Sequence, residues 1–134
     1  MAVGIVGPAG VSTITPAARD LLVKFGKLEV ADAAVGFAAF GLPKYAVVVG
    51  VYTIVQGANA TQTVNVGFTN GGVELINAFA ANSTGYSPAL AQTGASVGVQ
   101  LTTDQLVYLK ASATLTTPVI VKVEYIMPPQ GTSL

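Results

Sequence analysis

Val119-Ile120-Val121-Lys122-Val123-Glu124-Tyr125-Ile126-Met127 alternates with a period of two. Val119, Val121, Val123, Tyr125 and Met127 fall on one side of an extended chain; Ile120, Lys122, Glu124 and Ile126 fall on the other. A helix of this sequence would scatter its β-branched residues around the axis, whereas a strand collects them on one buried face. Pro128-Pro129-Gln130-Gly131 then ends the strand, because proline supplies no ladder donor. The same signature recurs upstream. Val107, Leu109, Ala111, Ala113 and Leu115 share a face, and so do Val64, Val66 and Phe68 opposite Thr63, Asn65, Gly67 and Thr69. Asn70-Gly71-Gly72 supplies residues that accept positive φ, which predicts a tight hairpin into a strand over Val73 to Ala80. The run Ala46 to Val55 is β-branched on both parities and reads as a strand covered on both faces.

Nearer the start, Leu21, Val23 and Phe25 alternate with Leu22, Lys24 and Gly26. The parity then changes at Leu28 and Val30, which predicts a bulge near Gly26. A strand over Ala34 to Phe40 is expected to end at the turn Gly41-Leu42-Pro43-Lys44, and Gly57 to Ala60 forms a further turn. Ala81 to Ala95, rich in Asn, Ser, Gly and Pro, reads as a long loop followed by a short strand at Val97, Val99 and Leu101. About eight strands and no convincing helix predict an all-β fold, an antiparallel two-sheet sandwich. A jelly roll is favoured over an immunoglobulin-like sandwich, whose Cys and Trp landmarks are missing. The expected organisation is an extended N-terminal arm over residues 1–18, the sandwich over 19–127 and a short tail over 128–134. The arm carries no charge and holds Val3, Ile5, Val6, Val11 and Ile14, side chains better suited to docking on a neighbour than to solvent.

Composition excludes much chemistry. Six Lys plus Arg balance six Asp plus Glu in 134 residues, and only 9% of the chain is charged. The lysines are too dispersed to track phosphates, so no nucleic-acid partner is expected. With no Cys and no His, thiol nucleophiles, disulfides, imidazole acid/base chemistry and zinc held by those ligands are excluded. The longest weakly polar run, Tyr45 to Val55, would reach only about half of a ~30 Å hydrocarbon core as a helix, so no membrane partner is expected. No basic region precedes the apolar start, and secretion by the general route is not expected.

Nothing else assembles into a catalytic constellation. Glu29 and Asp32 lie three apart, an offset that sends them to opposite sides of a strand. Lys110 and Ser112 share a face, but beside Tyr108 and Thr114 they read as a polar outer surface. Gly26-Lys27 lacks the Gly five positions earlier and the Ser or Thr that a phosphate loop needs. Asn59-Ala60-Thr61 and Asn82-Ser83-Thr84 match the glycosylation acceptor pattern and read as turns. No enzyme, metal or cofactor is expected.

Leu42-Pro43-Lys44-Tyr45-Ala46-Val47-Val48-Val49-Gly50-Val51, with Val121-Lys122-Val123-Glu124-Tyr125 at the far end, resembles small structural proteins of tailed bacteriophages. The likeness, over residues 20 to 127, is to capsid cement or decoration proteins built as a jelly roll with an N-terminal arm. It implies a virion protein, made in the host cytoplasm, that sits on the capsid exterior, binds major capsid protein and associates with itself as a dimer or trimer. Under that implication the contacts are Val3, Ile5, Val6, Val11 and Ile14 in the arm, and Asn82, Ser83 and Tyr86 in the Asn82 to Ser87 loop. The alternative is a head-fibre or tail adhesion module that binds a cell-surface carbohydrate or receptor.

Overall fold

A computed structural model describes residues 21–88 and 94–128. It contains eight strands and, among the described residues, no helix: β1 Leu22–Leu28, β2 Phe37–Leu42, β3 Val47–Val55, β4 Thr63–Gly67, β5 Ile76–Ala80, β6 Gly85–Pro88, β7 Gln105–Ala111 and β8 Val119–Ile126. They form two four-stranded antiparallel sheets, β1-β8-β3-β6 and β2-β7-β4-β5. The pairings β1 with β8, β2 with β7, β3 with β6 and β4 with β5 are nested, as though one long hairpin had been wrapped around a barrel. The expected arm, with Val3, Ile5, Val6, Val11 and Ile14, and the tail from residue 129 lie outside the described residues.

The alternation of β8 is carried out in full. Val119, Val121, Val123 and Tyr125 are buried, and Ile120, Lys122, Glu124 and Ile126 face outward. On one side β8 pairs with all of β1, and on the other with β3. Its inward row therefore meets Val48, Val51, Thr53 and Val55 of β3 at the same levels. The second sheet closes the core with Val64 and Val66 from β4, Val107, Leu109 and Ala111 from β7, and Leu42 from β2. Each Val or Leu among them contributes roughly 1.5–3 kcal/mol when fully buried.

The β4–β5 hairpin forms where Asn70-Gly71-Gly72 places it. Gly71 takes a φ of 86° and Gly72 N–H donates to the Thr69 carbonyl at 2.8 Å. Its loop is longer than the sequence suggests, because the Glu74 carboxylate accepts from Phe68 N–H at 2.8 Å and holds the chain in a turn until Ile76.

Several local expectations are corrected. β1 has no bulge: it pairs with β8 residue for residue from Leu22 to Leu28. Its inward residues are Lys24, Gly26 and Leu28, leaving Val23 and Phe25 on the outer face at 42% and 59% exposure. The apolar pattern misleads because the two sheets approach closely at Gly26. A Cβ there would lie 2.8 Å from Ala39 Cβ and 2.9 Å from Leu109 Cδ1, so this inward position carries no side chain. In β3 the register shifts between Val48 and Gly50, turning Val49 out to solvent rather than covering it. β2 starts at Phe37 and runs through Leu42, while residues 30–35 form a turn. The loop expected over Ala81 to Ala95 contains β6, and the strand expected at Val97 to Leu101 reduces to one bridge, Gln100 to Val47. Local bonds explain the latter: Val97 and Val99 N–H donate to the Gly94 and Ser96 carbonyls, and Gly98 has a φ of 85°.

Replacing Gly26 with Val should cost about 1–3 kcal/mol through overpacking, whereas Phe25→Thr should change stability by about 0.5 kcal/mol or less, both read from urea denaturation midpoints. A bulged β1 with Phe25 in the core would give the reverse order.

Candidate functional site

The carboxylates are spread over separate local tasks. Glu29 pairs with Lys27 at 3.5 Å, both exposed. Glu74 holds the β4–β5 turn, and Asp104 Oδ1 accepts from Lys44 N–H at 2.8 Å. Among the described residues no group of three or more His, Cys, Asp or Glu could hold a metal, and no helix is long and apolar enough to cross a membrane. Ser112 Oγ accepts from Thr63 N–H at 3.0 Å, and Ser112 N–H donates to the Thr63 carbonyl at 2.9 Å, so its hydroxyl serves to finish the β4–β7 ladder. Asn59 is fully buried. Its Oδ1 accepts from Thr116 N–H at 2.7 Å and Thr117 N–H at 2.9 Å, tying the turn after β3 to the connection between β7 and β8. A glycan at Asn59 is incompatible with that position.

What remains distinctive is the outer face of the β1-β8-β3-β6 sheet. Pairing places Phe25, Lys122 and Tyr52 in one row, Val23, Glu124 and Gly50 in the next, and Lys27, Ile120, Ile54 and Tyr86 in a third. The Tyr52 and Tyr86 rings stack with centroids 5.6 Å apart and planes 21° from parallel. Lys122 Nζ lies 4.6 Å from the Tyr52 centroid and 5.0 Å from that of Tyr86, and pairs with Glu124 at 3.3 Å. Such cation–π and offset-stacked contacts tie β8, β3 and the four-residue strand β6 together. Gly50 makes room, since a Cβ there would sit 2.7 Å from Tyr52 Cε1. A hydrogen bond with Glu124, followed by its negative charge, raises the Tyr52 pKa. A hydrogen bond with Tyr86 is the main cause that raises the Lys122 pKa. No direct sign of this cluster is legible in the sequence, because its members come from strands paired across distant parts of the chain.

Of the residues expected at contacts, Asn82 and Ser83 are exposed just ahead of β6, and Tyr86 is 54% exposed at the edge of this face. They lie together, but in and beside a strand rather than in one long loop. Val3, Ile5, Val6, Val11 and Ile14 precede the described residues. The chain enters them beside a second feature, an open groove at the mouth of the sandwich. Buried Leu42 and Tyr125 line it, along with Pro43 and exposed Leu106, and it carries two charges, Lys24 and Asp104.

No family model matches the chain, and no curated protein matches it in sequence. A chain in a solved structure described as a cyanophage Pam1 capsid asymmetric unit has a similar fold, with a TM-score of 0.54 and 22% identity, over 81% of this chain and 86% of that one.

Tyr52 should deprotonate at higher pH than an unperturbed tyrosine, and Glu124→Gln should move that titration downward, followed by tyrosinate absorption in alkaline solution. Because the folded-state pKa is raised, the cluster's contribution to stability is complete below the ordinary tyrosine pKa and falls away as pH rises through the elevated one.

Proposed function

We propose that this chain is a virion structural protein, a capsid cement or decoration protein. In this reading it adopts a jelly roll, binds the outside of an assembled shell of major capsid protein and ties neighbouring capsomers together as a dimer or trimer. The observation that carries the reading is the likeness in fold to a phage capsid chain over most of both lengths. The nested strand pairing supports the jelly roll.

The surface chemistry fits the same role. Val23, Phe25, Tyr86, Val49 and Leu106 are exposed on or beside strands, and the charges among them are largely matched, as in the Lys122–Glu124 pair. Covering such surface costs less desolvation than covering unpaired charges would. Several modest contacts made at once by an oligomer then raise the effective concentration for each further one. Binding only the assembled lattice stabilises it by linkage. The arm, Val3 to Ile14, supplies one contact to the shell or a sister subunit, and the Asn82–Ser83–Tyr86 edge supplies another. The sites of action are the capsid exterior and, before assembly, the host cytoplasm. No catalytic step is assigned.

Removing residues 1–15 should lower occupancy of purified shells several-fold, read by sedimentation with the particles, while thermal unfolding of the sandwich stays cooperative. Electron microscopy of the virus particle should show density for the chain repeated over the shell. Density confined to a tail tip would instead favour the adhesion reading, to which the exposed Tyr86 ring beside Lys122 and Glu124 lends a sugar-stacking surface.

A further inference from the structure

We infer that the groove at the mouth of the sandwich receives the uncharged arm, residues 3–14, of a second copy of this chain. The inference rests on the oligomeric part of the proposed function and names the partner. Among the described residues β1 is an outer strand of its sheet, paired on one side to β8, and its other side is an edge of the kind an added strand takes up. The groove beside it has an apolar interior in Leu42, Tyr125 and Pro43, a wall in Leu106, and its charges Lys24 and Asp104.

The occupant follows from charge and reach. Lys24 faces the inter-sheet side of β1, level with Val123. Two β1 edges paired near-symmetrically would therefore bring lysine toward lysine, which disfavours direct edge-to-edge pairing. Residues 1–18 carry no charge and set Val3 and Ile5 two apart on one side of an extended chain. Leu22, at the start of β1, pairs with Tyr125, which lines the groove, so the described chain begins beside it. Pro16 fixes its own φ and biases Thr15 to extended backbone, a sequence that favours an arm running on to a neighbour over one turning back on its own chain. Running on, residues 3–14 can span ~40 Å, far enough to reach a neighbour.

The chain has no Cys, so single introduced thiols report cleanly. Full-length Ile5→Cys is mixed with full-length Leu106→Cys under mild oxidation, with Asn77→Cys, exposed on β5 at the far side of its sheet from the groove, as the remote partner. The expected result is a mixed disulfide dimer of Ile5→Cys with Leu106→Cys, several-fold more abundant than with Asn77→Cys. Leu106→Glu, at an exposed position that should leave the fold intact by circular dichroism, should shift the oligomer toward monomer in sedimentation. Three results would overturn the inference: an Ile5→Cys/Leu106→Cys double variant that closes its disulfide only within one chain, equal cross-linking to both partners, or an oligomer unaffected by Leu106→Glu. Shell binding of the unmodified chain is scored separately. Its loss with cross-linking intact would overturn the cement reading alone, and its persistence without cross-linking would overturn the arm exchange alone.

Discussion

β8 is paired along both edges while its inward side chains fill the space between two sheets, and the rest of the molecule is arranged around that double obligation. A slip of one residue against either neighbour would exchange Val119, Val121, Val123 and Tyr125 for Ile120, Lys122, Glu124 and Ile126, placing an ion pair in the core. The continuous β1 register and the long β3 register are both fixed by this penalty. The shift at Val48 to Gly50 falls toward the end of the ladder, where Val49 can leave the sheet without disturbing the inward row. On the reverse side, the same register lines up Lys122 with Tyr52 and Glu124 with Gly50. The aromatic and charged cluster is therefore a by-product of the core's demand for alignment.

The strands whose two faces differ in polarity were legible from the sequence: β8 and β4 stand where alternation puts them, β7 does so as far as Ala111 before Ser112 and an exposed Ala113 leave the strand, the Asn70-Gly71-Gly72 turn forms although β5 waits until Ile76, and the two-sheet class followed. Misreadings came where a position's partner lies far along the chain. Gly26 looks like an interruption until Ala39 and Leu109 are seen pressing on it, and Phe25 looks like core until the opposite parity is seen to be taken. β6 was hidden because Gly85-Tyr86-Ser87-Pro88 has little strand character of its own and takes its conformation from β3. Asn59 read as an ordinary turn residue, and its buried bonds to Thr116 and Thr117 had no local signal. The outer-face cluster was unreadable for a similar reason: tyrosines 34 positions apart meet only once the nested pairing exists.

The outer sheet face combines two properties that are seldom found together, exposed apolar side chains and a held, nearly neutral polar centre. A face built from loose hydrophobic residues would adhere indiscriminately. Here Tyr52 and Tyr86 are fixed by stacking and by Lys122, so the surface is shaped before anything meets it, and less freedom is lost on contact. Such preorganisation makes the geometry of the face the same in every copy of the molecule.

The placement of β8 has a further consequence for biogenesis. It is last of the eight strands to emerge from a ribosome, yet it belongs in the middle of its sheet, between the first strand and the third. Until it arrives β1 lacks the strand it pairs with, and the platform of tyrosines lacks its lysine. The nascent chain therefore lacks a finished outer face during translation, and closure becomes a single late event that waits on contacts of great sequence separation.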